Sequence, residues 1–273
     1  ASGRPESALY GSVRTARIGG ALRPSFHEGV DIAPLRRDRQ GRPLDAIYAA
    51  MSGTVAYVNT VAGNSSYGRY VVLTHDGPSG TIYTLYAHLA CIAPGLRRGA
   101  ELAAGAPLGV MGASASYAIP LSRAHLHFEI GLILNARFDR WFDERKFKDG
   151  HGVFTGWNLA GVDPLGVYEG RRADEAYDLL ADLAGRPPAF EAALAAARTP
   201  DFFTRYPGLW RGAPYDGGGL WVAASENGVP LAGRNATGEE RARLAGKQAA
   251  VLRADPAVLG RNGCRLVVAA AGG

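Results

Sequence analysis

Residues 123–130, with the sequence RAHLHFEI, limit the possible folds of this chain more than any other stretch. In a β-strand, alternate residues point to the same face of the sheet. One face of this strand would carry His125, His127 and Glu129, whereas the other face would be apolar and suited to a core. Two imidazoles on one strand face can bind a metal, transfer protons or point into water. The strand alone leaves these three possibilities open.

The chain before this strand has the pattern of an antiparallel β domain. Short β-branched and aromatic segments alternate with glycine-rich turns, and no helical period is present. Segments 69–75 and 81–88 flank the residues DGPSG, which predicts a hairpin. We therefore predict a mainly β, antiparallel domain over residues 1–170. Helical spacing of aromatic residues within 135–149 predicts a short amphipathic helix there.

From about residue 171 the composition shifts to Ala, Asp, Glu and Leu, which predicts a small α+β domain over residues 171–273. Its expected elements are helices at 173–184 and 189–198, a hairpin around Glu226-Asn227-Gly228, a helix from the Thr237 and Glu240 capping box to about Arg253, and a strand at 265–271. The sequence of this domain indicates no function.

Charge and composition exclude some classes of function. The net charge is +5, and the basic residues are dispersed rather than interleaved with aromatics, so we predict no nucleic-acid partner. No apolar run approaches the ~20 residues that a membrane span needs. The chain begins at Ala1 without Met, which permits an exported protein. Cys91 and Cys264 are too few for a disulfide scaffold, and either one bridge or two thiols would fit the sequence.

A candidate metal site combines His127 with two residues near the N-terminus. His27 and Asp31 are four residues apart on a predicted loop that enters a short strand. Two imidazoles and one carboxylate suit Zn²⁺ and leave a fourth position for water. Such an open site indicates hydrolytic chemistry, because the metal activates its bound water and polarises a carbonyl.

Hydrolysis also needs a group that accepts and donates a proton. The glutamate of HExxH enzymes has no counterpart here, so the candidates are His125 and His88, with His75 as a further possibility whose role is more often structural. His151 lies in a glycine-flanked loop and is predicted to be exposed. Glu129 would either orient a metal ligand or pair with Arg123 on the same strand face.

Three motifs together resemble a known family. Residues 27–31 (HEGVD), 86–89 (YAHL) and 125–129 (HLHFE) occur in this order and resemble the M23 family of zinc metallopeptidases, the lysostaphin-like or LytM-type peptidoglycan endopeptidases. The similarity covers about residues 20–170. It implies a lysostaphin-like antiparallel fold with one zinc ion on the floor of the groove.

The resemblance also implies roles for individual residues. His27, Asp31 and His127 match the zinc ligands, and His125 and His88 match the two catalytic histidines that do not bind the metal. His75 matches a common but non-catalytic histidine. The 131–159 insertion is longer than usual and should lie beside the groove. Residues 22–26 lack the tyrosine that steadies the oxyanion in some members, so that role has no candidate.

The resemblance predicts an exported zinc endopeptidase that cuts peptidoglycan stem peptides or cross-links in the periplasm or cell envelope, or as a secreted protein. The sequence leaves the oligomeric state open, and we favour a monomer. Two alternatives remain at this point. One is a catalytically silent M23-like module that binds or regulates cell-wall enzymes, which the five filled positions disfavour. The other is a zinc peptidase that acts on proteins, because fold and motif fix the chemistry better than the substrate.

Overall fold

Antiparallel strands dominate the computed structural model, which describes residues 8–18, 21–144 and 151–254. The strands are β1 (Val13–Ile18), β2 (Ala21–Phe26), β3 (Val30–Ile32), β4 (Ala46–Tyr48), β5 (Gly53–Asn59), β6 (Tyr70–Gly77), β7 (Gly80–Ala87), β8 (Cys91–Ile92), β9 (Glu101–Leu102), β10 (Pro107–Val110), β11 (Leu126–Ile133), β12 (Leu159–Val162), β13 (Phe190–Leu194), β14 (Leu220–Ala224), β15 (Pro230–Asn235) and β16 (Ala249–Ala254). The helices are α1 (Asp139–Glu144), α2 (Pro164–Ala173), α3 (Leu179–Gly185), α4 (Asp201–Arg205) and α5 (Gly238–Leu244).

The largest sheet has seven strands and is organised around β11. Its order is β12-β11-β7-β6-β5-β9, and β3 pairs with the first half of β11 on the same edge that β12 occupies further along. All of these pairs are antiparallel, and β6 and β7 form the predicted hairpin. The prediction of a mainly antiparallel β fold is therefore confirmed.

The apolar face of this sheet packs against two different partners. Near the start of β11 it contacts a second sheet of order β4-β10-β8, and the shared core includes Leu73, Leu108 and Leu126. Further along β11 the same face packs on the C-terminal part of the chain, where Leu132 and Leu183 belong to one buried cluster. Burial of these apolar faces stabilises the sheet.

The opposite face of the sheet carries tyrosines and the polar residues of β11. Tyr70, Tyr83 and Leu85 are buried on this face, and Phe154 of the insertion packs against them. The Tyr70 hydroxyl donates to the backbone oxygen of Phe154 at 2.9 Å. The insertion therefore lies against the sheet face that bears His127 and Glu129.

The C-terminal part contains a four-stranded sheet of order β15-β14-β13-β16. The predicted hairpin around Asn227 is confirmed as β14 and β15, and the Thr237–Glu240 capping box begins α5. The division of the chain near residue 170 stays a prediction.

Four predicted elements need correction or lie outside the description. Residues 189–198 are not helical, because β13 forms there between β14 and β16. The predicted helix at 173–184 is helical only from Leu179, as α3, because α2 ends at Ala173, and α5 ends at Leu244 rather than near Arg253. In the insertion, α1 covers Asp139–Glu144. The strand at 265–271 and Cys264 lie outside the described residues.

No helix in the described part of the chain is both long and apolar enough to cross a membrane. Cys91 is exposed. Whether it pairs with Cys264 stays an open prediction.

Candidate metal site

Strand register brings two candidate ligands together. In the β3–β11 pair, Asp31 lies directly opposite His127. His27 precedes β3, and Gly29 lets the chain pass close to β11, because a Cβ at this position would collide with the backbone oxygen of Phe128. A close backbone approach of this kind is a common reason for glycine. The loop can therefore return His27 to the face of β11 that carries His127.

The three side chains form a compact triangle. His27 Nε2 lies 3.0 Å from Asp31 Oδ1 and 3.1 Å from His127 Nδ1, and the His127 Nδ1 to Asp31 Oδ1 distance is 3.0 Å. All three residues are buried, and their donor atoms lie within 4.8 Å of one another. The structure thus brings together the three residues that the sequence predicted as ligands.

The second nitrogen of each imidazole has a fixed partner. His27 Nδ1 lies 2.9 Å from the backbone oxygen of Leu9, and His127 Nε2 lies 2.7 Å from Glu129 Oε1. An oxygen acceptor at one nitrogen favours the proton there. The lone pairs of His27 Nε2 and His127 Nδ1 then face each other and the Asp31 carboxylate.

Three facing acceptors repel one another unless a cation lies between them, so the donor set fits a metal ion. Donors 2.0–2.1 Å from a tetrahedral zinc lie about 3.3 Å apart, close to the observed separations. Two imidazoles and a carboxylate are also a common zinc ligand set.

The electrostatics of the triangle favour positive charge. Burial opposes the ionised form of Asp31, but hydrogen bonds from His127 and His27 outweigh it and hold the Asp31 pKa far below its usual range. Burial would likewise lower the pKa of His127, yet Asp31 and Glu129 raise it to about 9. Two carboxylates thus stabilise a cation here, whether a proton on His127 or a metal ion that replaces it.

Glu129 is held in a fully enclosed pocket. Its Oε1 accepts from the Tyr67 hydroxyl at 2.7 Å, and its Oε2 accepts from the Tyr83 hydroxyl at 2.8 Å. Burial acts against its charge, but the hydrogen bond to His127 keeps the pKa of Glu129 below the usual value. Of the two predicted alternatives, Glu129 contacts the candidate ligand His127, and no hydrogen bond or ion pair among the described residues joins it to Arg123.

His125 and His88 lie beside the triangle with one ring nitrogen each held by a carbonyl. His125 Nδ1 is 2.8 Å from the backbone oxygen of Arg123, and His88 Nδ1 is 2.8 Å from that of Ser114. The two ring centroids are 4.7 Å apart, and His125 Nε2 lies 3.4 Å from Asp31 Oδ1. Because the Arg123 oxygen is closer to His125 Nδ1 than Asp31 Oδ1 is to Nε2, the proton of His125 is favoured on Nδ1. With His88 Nδ1 held by the Ser114 oxygen, the Nε2 atom of each imidazole can then act as a proton acceptor.

Both histidines are biased toward the neutral form. Burial lowers the pKa of His125. Burial, with the neighbouring His125 and His127, lowers the pKa of His88 to about 3. A neutral imidazole with a free Nε2 is the form that accepts a proton from water.

The backbone at His88 is unusual. Its φ is +61°, in the left-handed region that non-glycine residues seldom adopt. The Ser114 loop holds this conformation, because the Ser114 hydroxyl donates to the Leu89 oxygen and accepts from the Arg69 amide, both at 2.8 Å. Such strain, at a cost of about 1–3 kcal/mol, is typical of functional sites.

The two remaining histidines have structural contacts. His75 is buried, with Nδ1 2.8 Å from the Ser52 oxygen and Nε2 2.8 Å from Thr84 Oγ1. His151 is half-buried rather than exposed, so that prediction is wrong. Its ring joins the Tyr57 hydroxyl to the Asn64 oxygen and attaches the insertion to a turn.

Comparison with known proteins identifies the family of the part of the chain that carries these residues. Residues 25–137 match the family model described as peptidase family M23. This part of the chain is an M23 domain. The five candidate ligands and proton acceptors, four histidines and Asp31, fall within the matched residues. No curated protein matches the sequence.

Several solved structures are similar to the M23 domain. The catalytic domain of lysostaphin from Staphylococcus simulans shares 19% identity over 59% of this chain and 89% of its own, with a TM-score of 0.36. A zinc-containing peptidase from Vibrio cholerae shares 25% identity over 44% of this chain, with a TM-score of 0.31, and the match spans only 33% of that longer chain. The catalytic domain of a prophage-encoded M23 protein from Enterococcus faecalis shares 20% identity over 44% of this chain and 80% of its own, with a TM-score of 0.29.

Apart from Glu129, most of the partners that orient the M23 site gave no signal in the sequence. Leu9 and Ser114 contribute only backbone oxygens to His27 and His88, and a backbone contact leaves no mark in residue type. Tyr67 comes from a loop, so no strand alternation marks it. Tyr83 alone had a signal, because two-residue alternation along β7 places it on the same face as Leu85.

Proposed function

We propose that the M23 domain is a zinc-dependent endopeptidase that hydrolyses peptide bonds in peptidoglycan stem peptides or cross-links. The observation that supports this most directly is the buried triangle of His27, Asp31 and His127, with His125 and His88 beside it. A site with three protein ligands and adjacent proton acceptors suits hydrolysis better than a structural role. The proposal places the protein in the cell envelope, where this polymer occurs.

In this mechanism the ligands are His27 Nε2, Asp31 Oδ1 and His127 Nδ1. Zinc held there would lower the pKa of its bound water toward ~7 and polarise the scissile carbonyl. His125 accepts the water proton at Nε2, because its Nδ1 is committed to the Arg123 oxygen. His88, whose ring lies next to that of His125, offers the second free Nε2 to the reacting groups.

The test separates ligands from proton acceptors. We expect wild-type protein to bind one zinc ion and to release fragments from purified sacculi and cross-linked muropeptides. His27→Ala should lose both zinc and activity, whereas His125→Ala should keep zinc and lose turnover by about 10²–10⁴-fold. His151→Ala is the matched control and should keep both, because the contacts of that ring with Tyr57, Tyr70 and Asn64 include none of the candidate ligands or proton acceptors.

The readouts are zinc content by elemental analysis and product identity by mass spectrometry. Zinc-loaded protein that leaves sacculi and muropeptides intact would contradict the endopeptidase proposal and favour a binding module. Cleavage of a protein substrate, with sacculi and muropeptides left intact, would favour a peptidase that acts on proteins. Equal zinc loss in the two histidine variants would show that the assignment of ligand and base is wrong.

A further inference from the structure

A rigid surface hairpin approaches the turn that leads into β11. In residues 36–45 the Asp38 amide donates to the Arg42 oxygen at 2.9 Å, and the Leu44 amide donates to the Arg36 oxygen at 3.0 Å. The Asp38 carboxylate also pairs with Arg42 Nε at 2.6 Å. The base of the hairpin is attached to the protein, because the Asp45 oxygen accepts from the Met111 amide at 2.9 Å.

Arg37 joins this hairpin to residues 121–124. Its Nη1 donates to the Gly41 oxygen at 2.8 Å and to the Leu121 oxygen at 2.6 Å. Its Nη2 faces the oxygens of Ser122 and Ala124, each at 3.4 Å. One guanidinium thus holds the hairpin to the turn.

The four backbone carbonyls of the 121–124 turn face two side chains, Arg37 and His125. Three of them, from Leu121, Ser122 and Ala124, face Arg37, and the remaining one, from Arg123, accepts from His125 Nδ1. The first three residues of the turn are exposed. Two backbone hydrogen bonds shape the turn itself, from the Arg123 amide to the Pro120 oxygen at 2.8 Å and from the Ala124 amide to the Leu121 oxygen at 3.0 Å. Arg37 on one side and the start of β11 on the other then fix where the turn places the Arg123 oxygen.

We propose that Arg37 is a positioning residue that fixes the tautomer and orientation of His125 through the 121–124 turn. The inference rests on the proposed function, since it gives His125 the part of proton acceptor. With the Arg123 oxygen in place 2.8 Å from Nδ1, the His125 proton stays on Nδ1 rather than on Nε2, which lies 3.4 Å from Asp31 Oδ1. If the turn shifts, this preference for Nδ1–H weakens, and the ring can also rotate away from the reacting water.

Arginine suits this position better than lysine. Its planar guanidinium offers several N–H groups in fixed directions, so it can donate to carbonyls on both segments at once. A lysine ammonium is a compact charge on a flexible stem and would hold fewer of these carbonyls. Arg37→Lys should therefore retain part of the effect of Arg37.

Arg39 provides a matched control. It lies on the same hairpin, is exposed, and its side chain has no hydrogen bond or ion pair to any residue that the structure describes. Arg39→Gln changes the net charge as Arg37→Gln does and leaves the four carbonyls of the turn untouched.

The first experiment does not depend on activity. In zinc-loaded protein with ¹⁵N-labelled histidine at about pH 8, where ordinary imidazole is neutral, NMR reports which ring nitrogen of His125 carries the proton; a His125→Gln spectrum assigns the signal. We expect the Nδ1–H tautomer in wild type and Arg39→Gln, and a mixture of tautomers in Arg37→Gln. An unchanged His125 signal in Arg37→Gln would overturn the proposal.

The second experiment measures kcat, KM, zinc content and melting temperature for the same variants on a defined muropeptide. We expect Arg37→Gln to lower kcat by on the order of tenfold or more, because small displacements of a catalytic group are costly. KM and zinc content should stay unchanged, and Arg37→Lys should recover part of kcat. Loss of zinc, or an equal fall in Arg39→Gln, would contradict the positioning role.

The two experiments separate this inference from the proposed function. Wild-type protein without activity would contradict the endopeptidase proposal, yet the NMR comparison would still test whether Arg37 sets the His125 tautomer. If the protein is active but Arg37→Gln changes neither the His125 signal nor kcat, only the positioning role would be overturned.

Discussion

The strands before and after residue 160 differ in what they bury. In the described residues, the buried polar side chains belong almost entirely to the first part: His27, Glu28, Asp31, Asn59, His75, Thr84, His88, His125, His127, Glu129 and Asn158. The C-terminal part buries Asn227 and otherwise apolar side chains. Burial of polar and charged groups costs free energy unless they are paired. The first part therefore keeps a set of paired polar groups inside, the candidate site among them, while the second is a packing core.

Leu183→Ala tests the C-terminal side of this contrast with the largest expected change in stability. Leu183 is 1% exposed and belongs to the cluster that joins the C-terminal helices to β11 and β12. Its truncation should lower the free energy of unfolding by about 2–5 kcal/mol. Zinc affinity should not change, since none of the ligand contacts involves this cluster. Urea unfolding and zinc titration measure the two quantities.

Leu85→Ala is the counterpart in the first part of the chain. Leu85 is buried and lies directly opposite Glu129 in the β7–β11 pair. Leu85→Ala should lower the free energy of unfolding by a similar amount. It should also weaken zinc binding, because Glu129 would lose its packed neighbour. If both leucine variants changed zinc affinity equally, the two parts would not differ as proposed.

Glu129→Gln tests the buried polar residues of the first part, and we expect an intermediate effect, on zinc affinity. The glutamine keeps the shape but removes the charge that faces His127 Nε2. Replacement of such an outer carboxylate typically lowers metal affinity 10–100-fold, and we expect a change in this range by competition with a chelator. Glu101→Gln is the control, because Glu101 is exposed on β9 at the opposite edge of the sheet and bonds only to Thr54 among described side chains. An equal loss of zinc affinity in both variants would show that Glu129 has no special role in metal binding.

His75 should give the smallest effect, a change in acid sensitivity. Burial lowers its pKa below the usual value, so between its folded and unfolded pKa the folded protein binds fewer protons than the unfolded chain. Its contribution to stability is therefore complete above the ordinary histidine pKa and falls as the pH drops through that value toward the lower folded pKa.

His75→Gln should retain the Ser52 and Thr84 contacts without a titrating group. We expect its unfolding free energy to fall less steeply than that of wild type between about pH 7 and 5. Denaturant unfolding at several pH values gives both slopes. Parallel slopes would mean that His75 is not held neutral in the folded protein.

Much of the fold could be predicted because the first part has clear two-residue alternation. The hairpin of β6 and β7 and the apolar face of β11 follow from residue pattern and turn residues. The helix predicted at residues 189–198 is wrong because the alanines and the leucine of this segment favour a helix locally. In the structure, β13 pairs on both sides with β14 and β16, and these contacts override local propensity.

For the site, the sequence by itself determined that His125, His127 and Glu129 share one strand face, because the period of a β-strand is fixed by its backbone. It also provided, through the motifs, the grouping of His27, Asp31 and His127. Only the tertiary structure decided which nitrogen of each imidazole is free. That choice depends on the Leu9, Ser114 and Arg123 oxygens and on the Glu129 carboxylate. Three of these four partners are backbone atoms, which every residue type supplies, so only their placement in space can identify them.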